Sequence, residues 1–168
     1  MLKVSPCVPD PSAATWRENR PLNVDGDAVL VDLDGTLSDP EHRRHLLLTR
    51  PRDWHAFSHG AADDPPMPDA IADVNARHAR MNIIISSGRP HFAMRLTVGW
   101  LSANHVEWDL MALRPEHDLV KGVQHKLRVL KALRDLGIEP SLAIDDSPEM
   151  ASAYLAEGVR CQVPRRDS

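Results

Sequence analysis

Ala28-Val29-Leu30-Val31-Asp32-Leu33-Asp34-Gly35-Thr36-Leu37 runs from four apolar residues straight into two carboxylates, a glycine and a threonine. A short apolar run bounded by turn signals reads as a buried parallel strand. Open α/β sheets gather their ligands at the carboxyl ends of such strands, so these acids stand where chemistry is expected. Side chains alternate along a strand; continued strand geometry would turn Asp32 and Asp34 to one side, and Gly35 lets the backbone turn sharply behind them. Two carboxylates held this close repel each other unless a cation lies between them.

The same pattern recurs twice further on. Asn82-Ile83-Ile84-Ile85-Ser86-Ser87-Gly88-Arg89 is an apolar run ending in hydroxyls and glycine, and Ser141-Leu142-Ala143-Ile144-Asp145-Asp146 ends in paired acids. Between them, helical spacing marks about 68–80 through Ile71, Val74, His78 and Met81, then His91 to Ala103, then a long helix through Leu119, Val123, Leu127, Leu130 and Leu133 that stops at Gly137. Trp108 to Leu113 reads as a short strand, Pro148 to Glu157 as a helix, and Val159 to Val163 as a last edge strand. Strands alternating with helices predict βαβ units, hence an α/β fold with a Rossmann-like parallel sheet between two helical layers.

Residues from about 38 to 66 interrupt this alternation. Asp39-Pro40-Glu41-His42 is a helix start, with Asp39 as cap and Pro40 at the first helical position. Trp54 and Phe57, three apart, indicate a second small helix, and the insertion ends in a proline-rich loop at Asp63-Asp64-Pro65-Pro66. Residues 1–27 carry Pro6, Pro9, Pro11 and Pro21 with little apolar periodicity and are expected to be a loosely packed leader to a domain over 28–168.

Composition bounds what such a domain can do. With 168 residues, 42% hydrophobic and 26% charged, the chain is long enough for one real core. A net charge of -4 gives no global positive field, so any polyanion has to be met by a local cluster. Cys7 and Cys161 make neither metal spacing nor a disulfide framework, which suggests a reducing compartment, and no apolar run approaches the roughly 18 residues that span a bilayer. A cytoplasmic protein with no membrane partner is expected.

The three strand ends are expected to converge at one edge of the sheet, bringing together Asp32 and Asp34, Ser86 and Ser87, Asp145 and Asp146. Hard carboxylate oxygens suit Mg²⁺. The alternative for Asp145-Asp146 is a helix-capping pair before Ser147-Pro148. His42 and His45 with Arg43 and Arg44 read as a solvated face, and Trp16, Trp54, Trp100 and Trp108 as packing residues, Trp54 being also a candidate to stack on a base.

The DxDGT stretch at Asp32 to Thr36 resembles the first motif of haloacid dehalogenase superfamily phosphatases. With Ser87-Gly88-Arg89, Arg43 eleven positions after Asp32, and Lys126 nineteen before Asp145, residues 28–163 resemble the 3′-phosphatase domain of phage-type polynucleotide kinase/phosphatases. That resemblance implies a small helical cap over the site, Mg²⁺ as cofactor, Asp32 as nucleophile and Asp34 as general acid/base. It further implies Ser87 and Lys126 as phosphoryl contacts in catalysis and Arg43, Arg89, Thr36 and Gly88 as substrate-binding residues. Asp32, Asp34, Asp145 and Asp146 would serve as the metal set. The implied substrate is a phosphomonoester, with the 3′ end of DNA or RNA in first place. Small metabolites or free nucleotides are the runner-up, and a catalytically silent phosphate- or metal-binding module is the third reading. The chain departs from the family at Val120-Lys121-Gly122-Val123, where relatives carry a basic-acidic cluster. It has no Gly-x-x-x-x-Gly-Lys-Ser/Thr phosphate loop, so a separate kinase or ligase partner is expected.

Overall fold

Four fully buried residues, Ala28–Val31, form β2, and both neighbours of this strand run parallel to it. Such a strand has no wet face, which is why it reads as an unbroken apolar run. The computed structural model describes residues 15–118 and 120–164. They build one six-stranded sheet in the order β1-β4-β3-β2-β5-β6, from β1 (Trp16–Glu18), β2, β3 (Asn82–Pro90), β4 (Leu110–Arg114), β5 (Pro140–Ile144) and β6 (Arg160–Gln162). All pairings are parallel except that of β1 with β4.

Alternation along β2 separates two cores. Val29 and Val31 pack with Ile83, Ile85, Trp100 and Leu101 on one face, beneath α2 (Pro68–His78) and α3 (Met94–Ala103). Ala28 and Leu30 pack with Ile84, Val129, Leu133, Met150 and Tyr154 on the other, beneath α4 (Gly122–Asp135) and α5 (Pro148–Ala156). The result is the expected three-layer α/β arrangement.

Register carries the strand ends to one place. Val31 pairs with Ile85 on one side and Ile144 on the other, and the ladder continues as the Asp32 amide donates to Ile144 O at 3.0 Å and the Asp145 amide to Gln162 O at 3.1 Å. Asp32, Ser86 and Asp145 are therefore each the first residue past a matched rung.

Residues 38–66 leave the sheet and return beside their exit. Ser38 bridges Pro66, Asp39 N donates to Pro65 O at 2.8 Å, and Met67 N to Leu37 O at 2.8 Å. Between these ties lie a 3-10 helix (Glu41–Leu47), α1 (Trp54–His59) and a second 3-10 helix (Gly60–Asp63). The Asp53 carboxylate caps α1 by accepting the Ala56 amide at 2.8 Å. At the first helix the cap position falls to Pro40, and Asp39 accepts the Glu41 amide instead.

The second half of the expected leader proves to be part of the fold. Trp16–Glu18 adds the antiparallel edge strand, Leu22 is buried in the core, and the Asn82 side chain donates to Asn23 O at 2.8 Å. Three residues are too few for a visible alternation, so β1 owes its existence to the open edge of β4. The rest of that expectation, with Pro6, Cys7, Pro9 and Pro11, lies outside the described residues, as do Leu119 and the terminal Arg165 and Arg166. No described helix is long and apolar enough to cross a membrane.

Candidate active site

Because Asp32 follows Leu30 on the alternating pattern, its side chain emerges on the α4 side of the sheet, where Lys126 meets it. The Lys126 ammonium lies 2.8 Å from Asp32 Oδ1 and 2.6 Å from Asp145 Oδ2. Asp32, Asp145 and Asp146 each offer a carboxylate oxygen within 4.8 Å of the others. Three acids against one ammonium leave an excess of negative charge among hard oxygen donors, and that set fits Mg²⁺. Burial pushes the Asp32 carboxyl up to about 7, opposed by Lys126 and reinforced by Asp145. Burial works to lower the Lys126 ammonium, but its two carboxylate partners outweigh this and raise it. Lys126 reaches this position from the first turns of α4, and its two acids orient it.

The loop behind Asp32 is shaped around Asp146. Gly35 takes φ +90°, and a Cβ there would run into the Asp146 carboxylate, so glycine is required both by backbone conformation and by space. Thr36, expected to touch substrate, is fully buried; its Oγ1 accepts the Asp146 amide at 3.1 Å and so holds the loop after β5. The helix-cap alternative for the acid pair goes to Ser147, whose Oγ accepts the Met150 amide, while Asp145 Oδ1 accepts the Ser147 amide at 3.0 Å.

Asp34 parts company with Asp32. The strand ends at Val31, the chain folds over as the amides of Thr36, Leu37 and Ser38 all donate to Leu33 O, and alternation no longer applies. Asp34 Oδ1 accepts from Arg89 Nη2 at 2.6 Å, Arg89 Nε at 3.0 Å and Arg43 Nη2 at 2.7 Å. Expected among the metal ligands, its carboxylate stands outside the acid cluster because two guanidinium groups take it. Burial would raise its pKa, but Arg89 and then Arg43 hold it below the usual carboxylate range.

Both arginines are themselves anchored. Asp64, with a side chain 0% exposed, grips Arg43 as a two-pronged fork at 2.7 and 2.6 Å and accepts from Arg89 at 3.3 Å, Ser38 at 3.0 Å and His42 at 2.8 Å. Arg43 also donates to Phe57 O, and Arg89 Nη1 to Thr97 Oγ1. Burial would lower Arg43, but the Asp64 and Asp34 contacts raise it. Asp64 escaped sequence reasoning, since an acid in a proline-rich loop carries no local mark of its partner. His42, read as part of a solvated face, supports the same carboxylate.

Ser87 and Gly88 occupy the irregular part of β3, where the register with β4 shifts between Ser86 and Pro90. Ser87 Oγ accepts the Arg89 amide at 3.2 Å, and the neighbouring Ser86 hydroxyl lies against Tyr154. Asp34, Arg43, Gly88 and Arg89 line a cavity of about 620 Å³ between the sheet edge and the inserted helices. Trp100 and Trp108 are buried and Trp16 packs against the core, whereas Trp54 is 51% exposed at this cavity.

A family model described as the phosphatase domain of polynucleotide kinase PNKP matches residues 26–167. None of the curated proteins matches the sequence. Among solved structures, the Pnkp1/Rnl/Hen1 RNA repair complex contains a chain that aligns over 94% of this one with 21% identity and a TM-score of 0.67. This chain covers only 47% of that one, less than half of its length. A class C acid phosphatase from Bacillus anthracis with tungstate bound aligns over 82% of this chain and 65% of its own at 15% identity, TM-score 0.58. An L-2-haloacid dehalogenase aligns over 81% of this chain and 82% of its own at 16% identity, TM-score 0.54. At these identities the likeness is one of fold.

Proposed function

From the premise that the chain belongs to the family of polynucleotide kinase PNKP phosphatase domains, a haloacid dehalogenase-type phosphatase family, we propose a Mg²⁺-dependent 3′-phosphatase of polynucleotide ends working through an aspartyl-phosphate. The observation that supports this most is the Asp32–Lys126–Asp145 contact with Asp146 beside it at one sheet edge. Asp32, Asp145 and Asp146 would hold Mg²⁺, whose positive charge offsets repulsion between the Asp32 carboxylate and a phosphate dianion. A carboxylate oxygen of Asp32 attacks phosphorus, the bond from phosphorus to the leaving oxygen breaks, and that oxygen takes a proton from Asp34. Water then gives a proton to Asp34 as it attacks the aspartyl-phosphate, releasing inorganic phosphate and restoring Asp32. Lys126 and Ser87 serve the phosphoryl oxygens in this reading.

The arginines give Asp34 a timed role. In the free protein they keep it ionised, the form a base needs. A bound phosphoryl anion draws on the same positive charge, which raises Asp34 toward the protonated form required of the acid. Phosphorylation of ends is not proposed for these 168 residues, which lack a phosphate loop; a kinase acting alongside would supply it and a ligase would join the ends so prepared, as the neighbour's assembly with Rnl and Hen1 encourages.

The test is phosphate release with Mg²⁺ from a 3′-phosphorylated oligonucleotide, its 5′-phosphorylated twin and glycerol 2-phosphate, for wild type and Asp32→Asn. Release from the 3′ end alone, abolished in Asp32→Asn, supports the reading. Preference for glycerol 2-phosphate moves the function to small metabolites, and activity surviving Asp32→Asn removes Asp32 as nucleophile.

A further inference from the structure

The chain is poor in aromatic residues, with 2 phenylalanines, 1 tyrosine and 4 tryptophans among 168 residues. Both phenylalanines, together with Trp54 and His55, line the cavity that Asp34, Arg43 and Arg89 also line. Among the described residues, the exposed large hydrophobics are Leu48, Trp54, Phe92, Leu155 and Val163, and the two aromatic ones both face this cavity. Its volume, about 620 Å³, falls within the roughly 300–1,000 Å³ of sites for ligands much larger than a phosphate. No leucine, isoleucine, valine or methionine lines it; its apolar side chains are Trp54, Phe57, Phe92 and Pro90, with Arg114, Glu116 and Asp118 as polar company.

The rings are arranged on two supports. From the insertion, Trp54 meets Phe57 edge-on with centroids 6.2 Å apart, and Phe57 in turn lies 4.0 Å beneath the Arg43 guanidinium. From the segment after β3, Phe92 stacks against His55 and His59, each at 5.3 Å. Trp54, Phe57, Arg43 and Asp34 therefore form an unbroken line of contacts from an exposed indole to the candidate acid. A lipid tail would call for branched aliphatic walls, and a bare sugar for more hydrogen-bonding groups; flat apolar rings next to cations that suit phosphate call for a planar heterocycle attached to a phosphate.

We propose that this cavity holds the nucleobase of the phosphate-bearing terminal nucleotide, with Trp54 and Phe92 as its specificity-determining stacking residues. The proposal rests on the phosphatase reading for the position of the phosphate. Stacking uses the π-face that every base has, so recognition demands a base without selecting which one.

Two 3′-phosphorylated oligonucleotides, one ending in a normal nucleotide and one in an abasic tetrahydrofuran residue, provide the test. The expected result is a kcat/KM higher by about 5- to 100-fold for the base-bearing end, carried mainly by KM and varying little among the four bases. Trp54→Ala and Phe92→Ala should each shrink that ratio toward one. Equal turnover of the two ends, or a ratio unmoved in both variants, overturns the proposal. Binding separates this from the phosphatase reading: calorimetric titration of Asp32→Asn with thymidine 3′-phosphate and with deoxyribose 3-phosphate asks about the base alone. Tighter binding of the nucleotide supports the stack even where 3′ ends are not hydrolysed, and equal binding overturns it while leaving phosphatase activity standing.

Discussion

Asp64→Asn changes one oxygen to nitrogen at a side chain with no exposed surface, and a large loss of stability is expected from it. Four charges meet there: Asp34 and Asp64 against Arg43 and Arg89. Removing one carboxylate leaves two guanidinium groups sharing Asp34 alone, itself 24% exposed at its side chain. The asparagine NH₂ would also face Arg43 or His42, donor against donor, where Asp64 now accepts five contacts. Breaking a buried pair by removing one partner costs about 3–5 kcal/mol, since the other charge stays buried and uncompensated. For a domain of this size each kcal/mol moves Tm by about 2–4 °C, so a fall of roughly 6–20 °C is expected. Urea denaturation gives the free energy directly, with exposed Asp63→Asn as the matched control expected to stay within about 0.5 kcal/mol. A loss for Asp64→Asn no larger than the control's would refute the reasoning that the buried Asp64 carboxylate is what balances the two guanidinium groups.

Two further predictions follow from single contacts. His125 is buried, and burial first, with Arg114 and Lys126 adding and Asp118 opposing, lowers its pKa from 6.5 to about 4. Its folded-state pKa is below the unfolded one, so the associated stability is complete above about pH 6.5 and is lost as pH falls toward 4, amounting to about 3 kcal/mol in all. His125→Gln should flatten the stability profile across that window, and parallel profiles for variant and wild type would count against it. Thr36→Val keeps shape but deprives the Asp146 amide of its acceptor. We expect Mg²⁺ to raise Tm only at roughly tenfold higher concentration in this variant, measured by thermal melts at a series of Mg²⁺ levels; an unshifted midpoint would separate Thr36 from the proposed Mg²⁺ site.

Local pattern was enough for the central parallel strands and for the acids at their ends. Buried parallel strands have to be continuous apolar runs, and their ends have to change abruptly to polar residues, so β2, β3 and β5 announce themselves together with Asp32, Asp145 and Asp146. The βαβ rhythm of the sequence stops at about residue 38 and resumes at about 66, and in the structure Ser38 and Pro66 pair. β1 was not legible, since an edge strand of three residues is defined by the partner it meets.

The rest of the site belongs to tertiary structure. Spacing placed Asp34 beside Asp32, yet the turn at Gly35 ends alternation and delivers the Asp34 carboxylate to Arg89, 55 positions away, instead of to the cluster of Asp32, Asp145 and Asp146. Arg43 reads as a loose basic residue on a polar segment until the return of the insertion brings Asp64 against it. Thr36 has the look of a hydroxyl waiting for substrate until the β5 loop claims it. Apolar periodicity is written residue by residue, because burial acts on each side chain separately. The partner of a charge depends on which distant segment folds over it, and so the sequence by itself determined the parallel strands and their acidic ends, while only the folded chain decided which acids gather round Lys126 and which face the arginines.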